Sequence, residues 1–365
     1  MRLAEIIGLR PEPAAGVLVT LTRRCPLSCA HCSTGSGPDT DERPAPGDLR
    51  RFVASFTPRD RPDVMMLTGG EPLLMPGLVR ELALSAKEKG TRTAVLSGMF
   101  FARARSVPRA VLRAAEAVDH FSASLDLHHE REVPRAAVFA ALRALSTTGP
   151  RVSLHLTGTG PDDPYLAEAT AAVEHEFGGT LPVLVNEIRA FGRAATWARP
   201  ARAVGGDDAA APAPCAMAAW PVVAFDGTVL ACCNQHTVDR RPVPPHLRLG
   251  HIAEDGWGTV RARALDSPLL RAVRTVGPLH LATGHAPDAP PAASYCDACR
   301  GLSALPGAVA AAERTASGAA GALLDLTVGR ARRAHGPTAL VRAHGCAPYA
   351  AWVERPEPGE AEALR

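Results

Sequence analysis

The stretch Gly16-Val-Leu-Val-Thr-Leu-Thr-Arg-Arg-Cys-Pro-Leu-Ser-Cys-Ala-His-Cys-Ser33 joins an apolar segment to three closely spaced cysteines. Residues 16–22 are β-like, and Cys25, Cys29 and Cys32 follow with the spacing C-x3-C-x2-C. The sequence therefore predicts a cysteine loop at the carboxyl end of a strand. In α/β barrels, this is the end where the chemistry is found.

Three thiolates can hold three irons of a [4Fe–4S] cube and leave the fourth iron open for a substrate or cofactor. A site closed by four thiolates mainly supports structure or carries electrons. The alternative for this loop is a zinc knuckle, in which His31 or a remote cysteine would be the fourth ligand.

Short apolar runs alternate with amphipathic ones up to about residue 200, which indicates repeated β–α units. Strands are predicted at 17–22, 64–68, 93–97, 121–125, 152–157 and 183–188. Helices are predicted near 47–56, 76–89, 107–117, 134–147 and 163–176. Such units form a parallel sheet with right-handed crossovers. The spacing permits a partial barrel or a doubly wound sheet, and the cysteines after the first strand favour the barrel.

Composition excludes several classes of function. The chain has 365 residues, and its 40 basic and 37 acidic side chains give a net charge of +3. This balance predicts no nucleic-acid partner and no anionic membrane partner. No signal-like apolar core is found near residue 1, and the apolar stretch 304–326 is interrupted by Glu313, Arg314 and Asp325. Nine cysteines without such a signal indicate metal ligation in a reducing cytoplasm.

A second motif, Thr68-Gly69-Gly70-Glu71-Pro72, follows the apolar run 64–67. Together with the cysteines it resembles the radical S-adenosylmethionine (radical SAM) superfamily. The resemblance implies that Cys25, Cys29 and Cys32 ligate a catalytic [4Fe–4S] cluster. The cluster binds SAM and cleaves it to a 5′-deoxyadenosyl radical that abstracts hydrogen from substrate. Residues 69–72 would hold the amino group of SAM, because glycines allow close backbone approach.

The same resemblance implies further cofactor contacts. His31 occupies the position of an aromatic residue near the adenine, and Ser97 lies in the turn after the third strand, which lacks the family's usual amide. Ser124 and Asp126 resemble a fourth-strand pair near the ribose and methionine, although a helix-capping pair is the alternative. Arg193 follows the sixth strand and could pair with the cofactor carboxylate. His128 and His129 are either surface residues or substrate contacts.

A second cysteine group follows a linker-like stretch at 199–214. Residues 222–225 and 228–231 flank Asp226-Gly227, which predicts a hairpin. Cys215, Cys232, Cys296 and Cys299 are enough to close a second [4Fe–4S] cluster or a zinc site. This region resembles the SPASM auxiliary domain in its shortened "twitch" form.

The implied fold is α/β, with three parts. The predicted parts are a partial (β/α)6 TIM-like barrel at 14–200, an auxiliary-cluster domain with a hairpin and helices at 211–302, and a helical extension at 303–365.

The resemblance implies an oxidative enzyme of natural-product biosynthesis, which dehydrogenates or crosslinks a small molecule or a precursor peptide. Its electron donor would be a flavodoxin or ferredoxin. A peptide substrate would need a separate carrier protein, because the first predicted strand already begins at residue 17. The alternatives are a redox-neutral epimerase with Cys233 or Cys346 as hydrogen donor, and a non-catalytic iron–sulfur or zinc scaffold or sensor.

Overall fold

The structure is a computed structural model, and it describes residues 1–198, 212–286, 288–290 and 292–356. Most of the predicted linker, at 199–211, lies outside these residues, as does the end of the C-terminal extension at 357–365.

Six parallel strands form the central part of one sheet, and all six predicted strands are confirmed to within two residues. They are β1 (Gly16–Thr20), β2 (Val64–Thr68), β3 (Arg92–Ser97), β4 (His120–Asp126), β5 (Arg151–Gly158) and β6 (Val183–Glu187). Most of their side chains are buried, which is typical of parallel strands covered on both faces.

Helices connect these strands, and the five predicted helical segments are also confirmed. They are α2 (Pro46–Ala54), α3 (Pro76–Glu88), α4 (Arg109–Ala117), α5 (Arg135–Ser146) and α6 (Pro164–Phe177), with α1 (Leu3–Leu9) before β1. Three of them begin with a proline, which suits the first helical position because its missing N–H needs no partner there. Asp163 caps α6 by accepting a hydrogen bond from the Tyr165 backbone at 2.9 Å.

The strand order along the sheet is β6-β5-β4-β3-β2-β1. Each new strand is added on the same side as the one before it, without the reversal that a doubly wound sheet has at its switch point. Among the described residues the sheet is open, because β6 lies at its edge. The architecture is therefore a mixed α/β fold with an open parallel sheet.

The predicted hairpin is confirmed, and it extends this same sheet. β7 (Val222–Val223) pairs in parallel with β1, and β8 (Thr228–Leu230) and β9 (Arg248–His251) follow in antiparallel order. Gly227 turns the hairpin with a φ of +86°, a conformation that favours glycine.

The second half of the described chain is mainly helical. Its helices are α7 (Gln235–Val238), α8 (Trp257–Asp266), α9 (Pro268–Thr275), α10 (Pro278–His285), α11 (Tyr295–Gly301), α12 (Pro306–Ala316), α13 (Gly318–Ala334) and α14 (Gly336–His344). No helix in the described part of the chain has the length and apolar character needed to cross a membrane.

A buried ion pair joins α9 to α13 and accounts for Asp325, one of the three charged residues named in the stretch 304–326. Arg274 and Asp325 are each 4% exposed at the side chain. The Arg274 Nε lies 2.9 Å from Asp325 Oδ1 and 3.0 Å from Oδ2. Such a pair is costly to break, because the remaining charge stays buried without a partner.

We therefore expect Asp325→Ala to lower the free energy of unfolding by about 3–5 kcal/mol, measured by urea denaturation. The double variant Arg274→Met/Asp325→Leu should recover most of this loss, because it removes both charges and keeps the volume. Glu313→Ala, at an exposed position on α12, is the control and should change stability by less than about 0.5 kcal/mol. Wild-type stability in Asp325→Ala would contradict the role of the pair.

Candidate active site

The two sequence motifs meet at the carboxyl ends of β1 and β2. The Gly70 N–H donates to the Thr22 carbonyl at 2.6 Å, and the Glu71 N–H donates to the Arg24 carbonyl at 2.9 Å. A Cβ on Gly69 would lie 2.5 Å from the Thr22 oxygen, and one on Gly70 would lie 2.4 Å from the oxygen of Arg24. The glycines are therefore required by the close approach of the two loops.

The three cysteines of the first loop are free, partly exposed thiols. Cys25 and Cys29 pack against the main hydrophobic core, and the Cys32 Sγ lies 3.3 Å from Thr34 Oγ1. Burial raises the pKa of the Cys25 thiol to about 12 and also raises the pKa of Cys29. A positively charged metal centre would reverse this, because metal coordination stabilises the thiolate form.

The donor set of this loop, three thiols close together in the chain, suits a three-thiolate cluster. His31, the candidate for a fourth zinc ligand, has its Nε2 3.2 Å from Asp126 Oδ2, and its buried Nδ1 has no hydrogen-bond partner among the described residues. Three thiols on one loop with no committed fourth donor match the requirement for an open iron.

Glu71 is a fully buried carboxylate beside this loop. It accepts hydrogen bonds from the Leu73 N–H at 2.9 Å, the Ser97 hydroxyl at 3.0 Å and the Gly98 N–H at 2.8 Å. Burial raises the pKa of Glu71 to about 7, although these hydrogen bonds oppose the shift. No Lys or Arg among the described residues forms an ion pair with Glu71, so the carboxylate is suited to a cationic ligand.

Asp126 and His31 form a pair at the end of β4. Asp126 Oδ1 accepts from the backbone N–H groups of His128 at 2.8 Å and His129 at 2.9 Å, while Oδ2 faces His31. The His31 ring stacks on the His128 ring with centroids 5.8 Å apart. Burial lowers the pKa of His31, and the Asp126 charge opposes that shift. Ser124 lies two residues earlier on the same strand and is paired in register with His155.

Arg193 holds the backbone of the cysteine loop through hydrogen bonds. Its Nε donates to the Cys29 carbonyl at 2.9 Å, and its backbone N–H donates to the Cys32 carbonyl at 3.0 Å. Gly192 has a φ of +53°, and a Cβ there would lie 2.3 Å from the Cys32 oxygen. Sequence reasoning missed this supporting contact. Pairing of Arg193 with a cofactor carboxylate remains a prediction.

The structure gathers a second group of thiols near the hairpin. The Asn234 N–H lies 3.3 Å from Cys232 Sγ, and the Asn234 Nδ2 lies 3.5 Å from Cys296 Sγ. Burial raises the pKa of each of the four predicted ligands, and in each case the charge of a neighbouring thiol also contributes. These ligands are Cys215, Cys232, Cys296 and Cys299. Cys233 is one of the neighbouring thiols that raise the pKa of Cys215, Cys232 and Cys296.

The two remaining cysteines have different surroundings. Cys233 Sγ lies 3.7 Å from the Arg10 Nη2, at the second thiol group. Cys346 has no exposed surface, belongs to the main core, and donates its backbone N–H to the Val185 carbonyl at 3.0 Å. Burial in the core is the usual setting of a small apolar thiol.

Residues 19–170 match the radical SAM superfamily. This segment of the chain is a radical SAM domain. It extends from β1 to α6 and contains both the cysteine loop and the Glu71 loop.

Three solved structures similar to this chain contain SAM, and all three have low sequence identity. Streptococcus suis SuiB bound to S-adenosylmethionine has a TM-score of 0.49 and 12% identity, covering 73% of this chain and 68% of SuiB. BtrN in complex with AdoMet and 2-DOIA has a TM-score of 0.43 and 15% identity, and the match covers 72% of this chain and 87% of BtrN. Native anSMEcpe with bound AdoMet and the Kp18Cys peptide has a TM-score of 0.46 and 10% identity, and the match covers 82% of this chain and 99% of anSMEcpe. No curated protein matches this chain.

The raised pKa of Glu71 predicts a pH dependence of stability. The carboxyl group ionises near pH 4.5 in the unfolded chain and near pH 7 in the fold, so the unfolded state loses its proton first. The free energy of unfolding of the SAM-free protein should therefore fall between pH 4.5 and 7, by about 3 kcal/mol for this shift. In Glu71→Gln this contribution should be missing, as measured by urea unfolding across that range. Identical pH profiles of the two proteins would show that Glu71 is not responsible.

Proposed function

We propose that this protein is a radical SAM oxidoreductase. It would dehydrogenate or crosslink a C–H position of a natural-product substrate, either a peptide or a small metabolite. The observation that carries the proposal is the interlocking of the cysteine loop with the Gly69-Gly70-Glu71 loop. When bound, a [4Fe–4S] cluster and SAM would supply the electron and the 5′-deoxyadenosyl radical for hydrogen abstraction.

The chain's own residues would divide the work of binding. Cys25, Cys29 and Cys32 would ligate the cluster, and their loop is held in place by Arg193. Glu71 would accept the ammonium group of SAM, because it is buried and has no cationic partner among the described residues. A charge-assisted hydrogen bond of this kind is worth about 1.5–3 kcal/mol.

The second thiol group would hold an auxiliary [4Fe–4S] cluster in a shortened SPASM, or twitch-type, region. Cys215, Cys232, Cys296 and Cys299 are the proposed ligands, supported by their shared electrostatic environment and by the Asn234 contacts. A cluster closed by four thiolates suits electron transfer, so we assign it the role of electron acceptor. Structural zinc at these four thiols is the alternative, and a metal analysis distinguishes the two.

The fold we propose around these sites is a partial (β/α)6 barrel with the auxiliary region at 211–302 and a helical extension from 303. A flavodoxin or ferredoxin in the cytoplasm would supply the electron. SuiB has been solved with a precursor peptide and BtrN with 2-DOIA, and these two substrate classes should be tested first.

Metal content tests the two-cluster proposal. Protein reconstituted anaerobically should contain roughly eight irons, from two cubes of four. The triple variant Cys25→Ala/Cys29→Ala/Cys32→Ala should keep about four and lose SAM cleavage. The quadruple alanine variant of Cys215, Cys232, Cys296 and Cys299 should also keep about four. Stoichiometric zinc without iron in anaerobically purified wild type would overturn the proposal.

Product mass distinguishes oxidation from epimerisation. We expect the product to be lighter than the substrate by a pair of hydrogen atoms, with no deuterium gained in heavy water. Cys346→Ala and Cys233→Ala should therefore leave the product unchanged. Deuterium incorporation that either variant abolishes would establish the epimerase instead.

A further inference from the structure

The turn after β3 has an unfavourable backbone conformation beside the proposed SAM site. Met99 has φ +60° and ψ +25°, the left-handed region, although it is not a glycine. Its side chain is fully buried. Such a conformation is unfavourable for a residue with a side chain and persists only when the surroundings hold it in place.

Hydrogen bonds fix this turn from two sides. On one side, the Ser97 hydroxyl and the Gly98 N–H donate to Glu71, and the Met99 N–H donates to Ser97 Oγ at 3.0 Å. On the other side, the Gly98 carbonyl accepts a hydrogen bond from His129 Nε2. The turn is therefore held between Glu71 and His129.

His129 is itself held firmly in place. Its backbone N–H donates to Asp126 Oδ1 at 2.9 Å, and its carbonyl accepts from the N–H groups of Glu132 and Val133, each at 2.9 Å. The residue is 2% exposed. Because a carbonyl oxygen only accepts, the proton of the ring lies on Nε2. The buried Nδ1 has no hydrogen-bond partner among the described residues.

Little space separates the two groups that hold the turn. A Cβ on Gly98 would lie 3.5 Å from Glu71 Oε2, 3.6 Å from His129 Nε2 and 3.1 Å from Leu27 Cδ1. Loss of the His129 donor would free the Gly98 carbonyl and remove one of the constraints on the position of Gly98, whose N–H orients Glu71.

We infer that His129 is a positioning residue for SAM binding. It fixes the Gly98 segment, Gly98 orients the Glu71 carboxylate, and the carboxylate receives the ammonium group. The inference rests on the proposed function of Glu71. His129 does not touch the cofactor in this scheme, so its effect on SAM affinity is transmitted through Glu71.

A double-mutant cycle on the reconstituted full-length protein tests this, with the dissociation constant of SAM measured by equilibrium dialysis. His129→Phe should raise this constant about tenfold, in line with the loss of one hydrogen bond. His129→Gln, which keeps a donor of similar reach, should stay within about twofold of wild type. In a Glu71→Gln background, His129→Phe should have less than a twofold effect, because coupled residues are not additive.

His175→Phe, at an exposed position on α6, is the matched control and should bind SAM as wild type does. Iron content should be unchanged in all variants, which separates SAM binding from loss of the cluster. Equal effects of His129→Phe in both backgrounds, or no effect in either, would overturn the inference. If His129→Phe does not fold, His129→Gln decides the question. SAM binding by soluble His129→Gln that is clearly weaker than that of wild type would overturn the inference. Wild type that binds no SAM would instead overturn the proposed function.

Discussion

The close backbone contact between the loops after β1 and β2 is the constraint on which the rest of the site depends. Gly69 and Gly70 approach the carbonyls of residues 22–24 so closely that no side chain fits between them. Parallel pairing of β1 with β2 brings both loops to the same edge, and the glycines let them interlock. Cys25 and Glu71 are placed next to each other as a result, near enough for the Glu71 charge to raise the pKa of the thiol.

This proximity links the two binding events. Burial favours the protonated, neutral forms of Cys25 and Glu71, so two negative charges are not placed together in the protein without metal and SAM. A metal centre bound by the thiols would remove protons from them, and an ammonium group at Glu71 would favour its ionised form. The affinity for each cationic group would therefore depend on whether the other is bound, and by linkage the dependence would be mutual.

The sequence was sufficient for the elements that short-range patterns control. Strands β1 to β6, helices α2 to α6 and the turn at Gly227 follow from apolar periodicity and from Gly and Pro positions. Contacts between remote segments were not predictable in this way. The contact of His31 with Asp126 and the support of the cysteine loop by Arg193 depend on side-chain directions in the folded sheet. Likewise, no local pattern indicated that β7 would pair with β1.

The pairing of β7 with β1 has a consequence for electron movement. β1 leads into the first cysteine loop, and Cys232 follows β8, so the hydrogen-bonded strands β1, β7 and β8 connect that loop to one thiol of the second group. Strands that are hydrogen-bonded in one sheet do not move relative to one another as two domains joined by a flexible linker can. The sheet, and not a flexible connection, would then set the separation of the two proposed clusters when the chain folds.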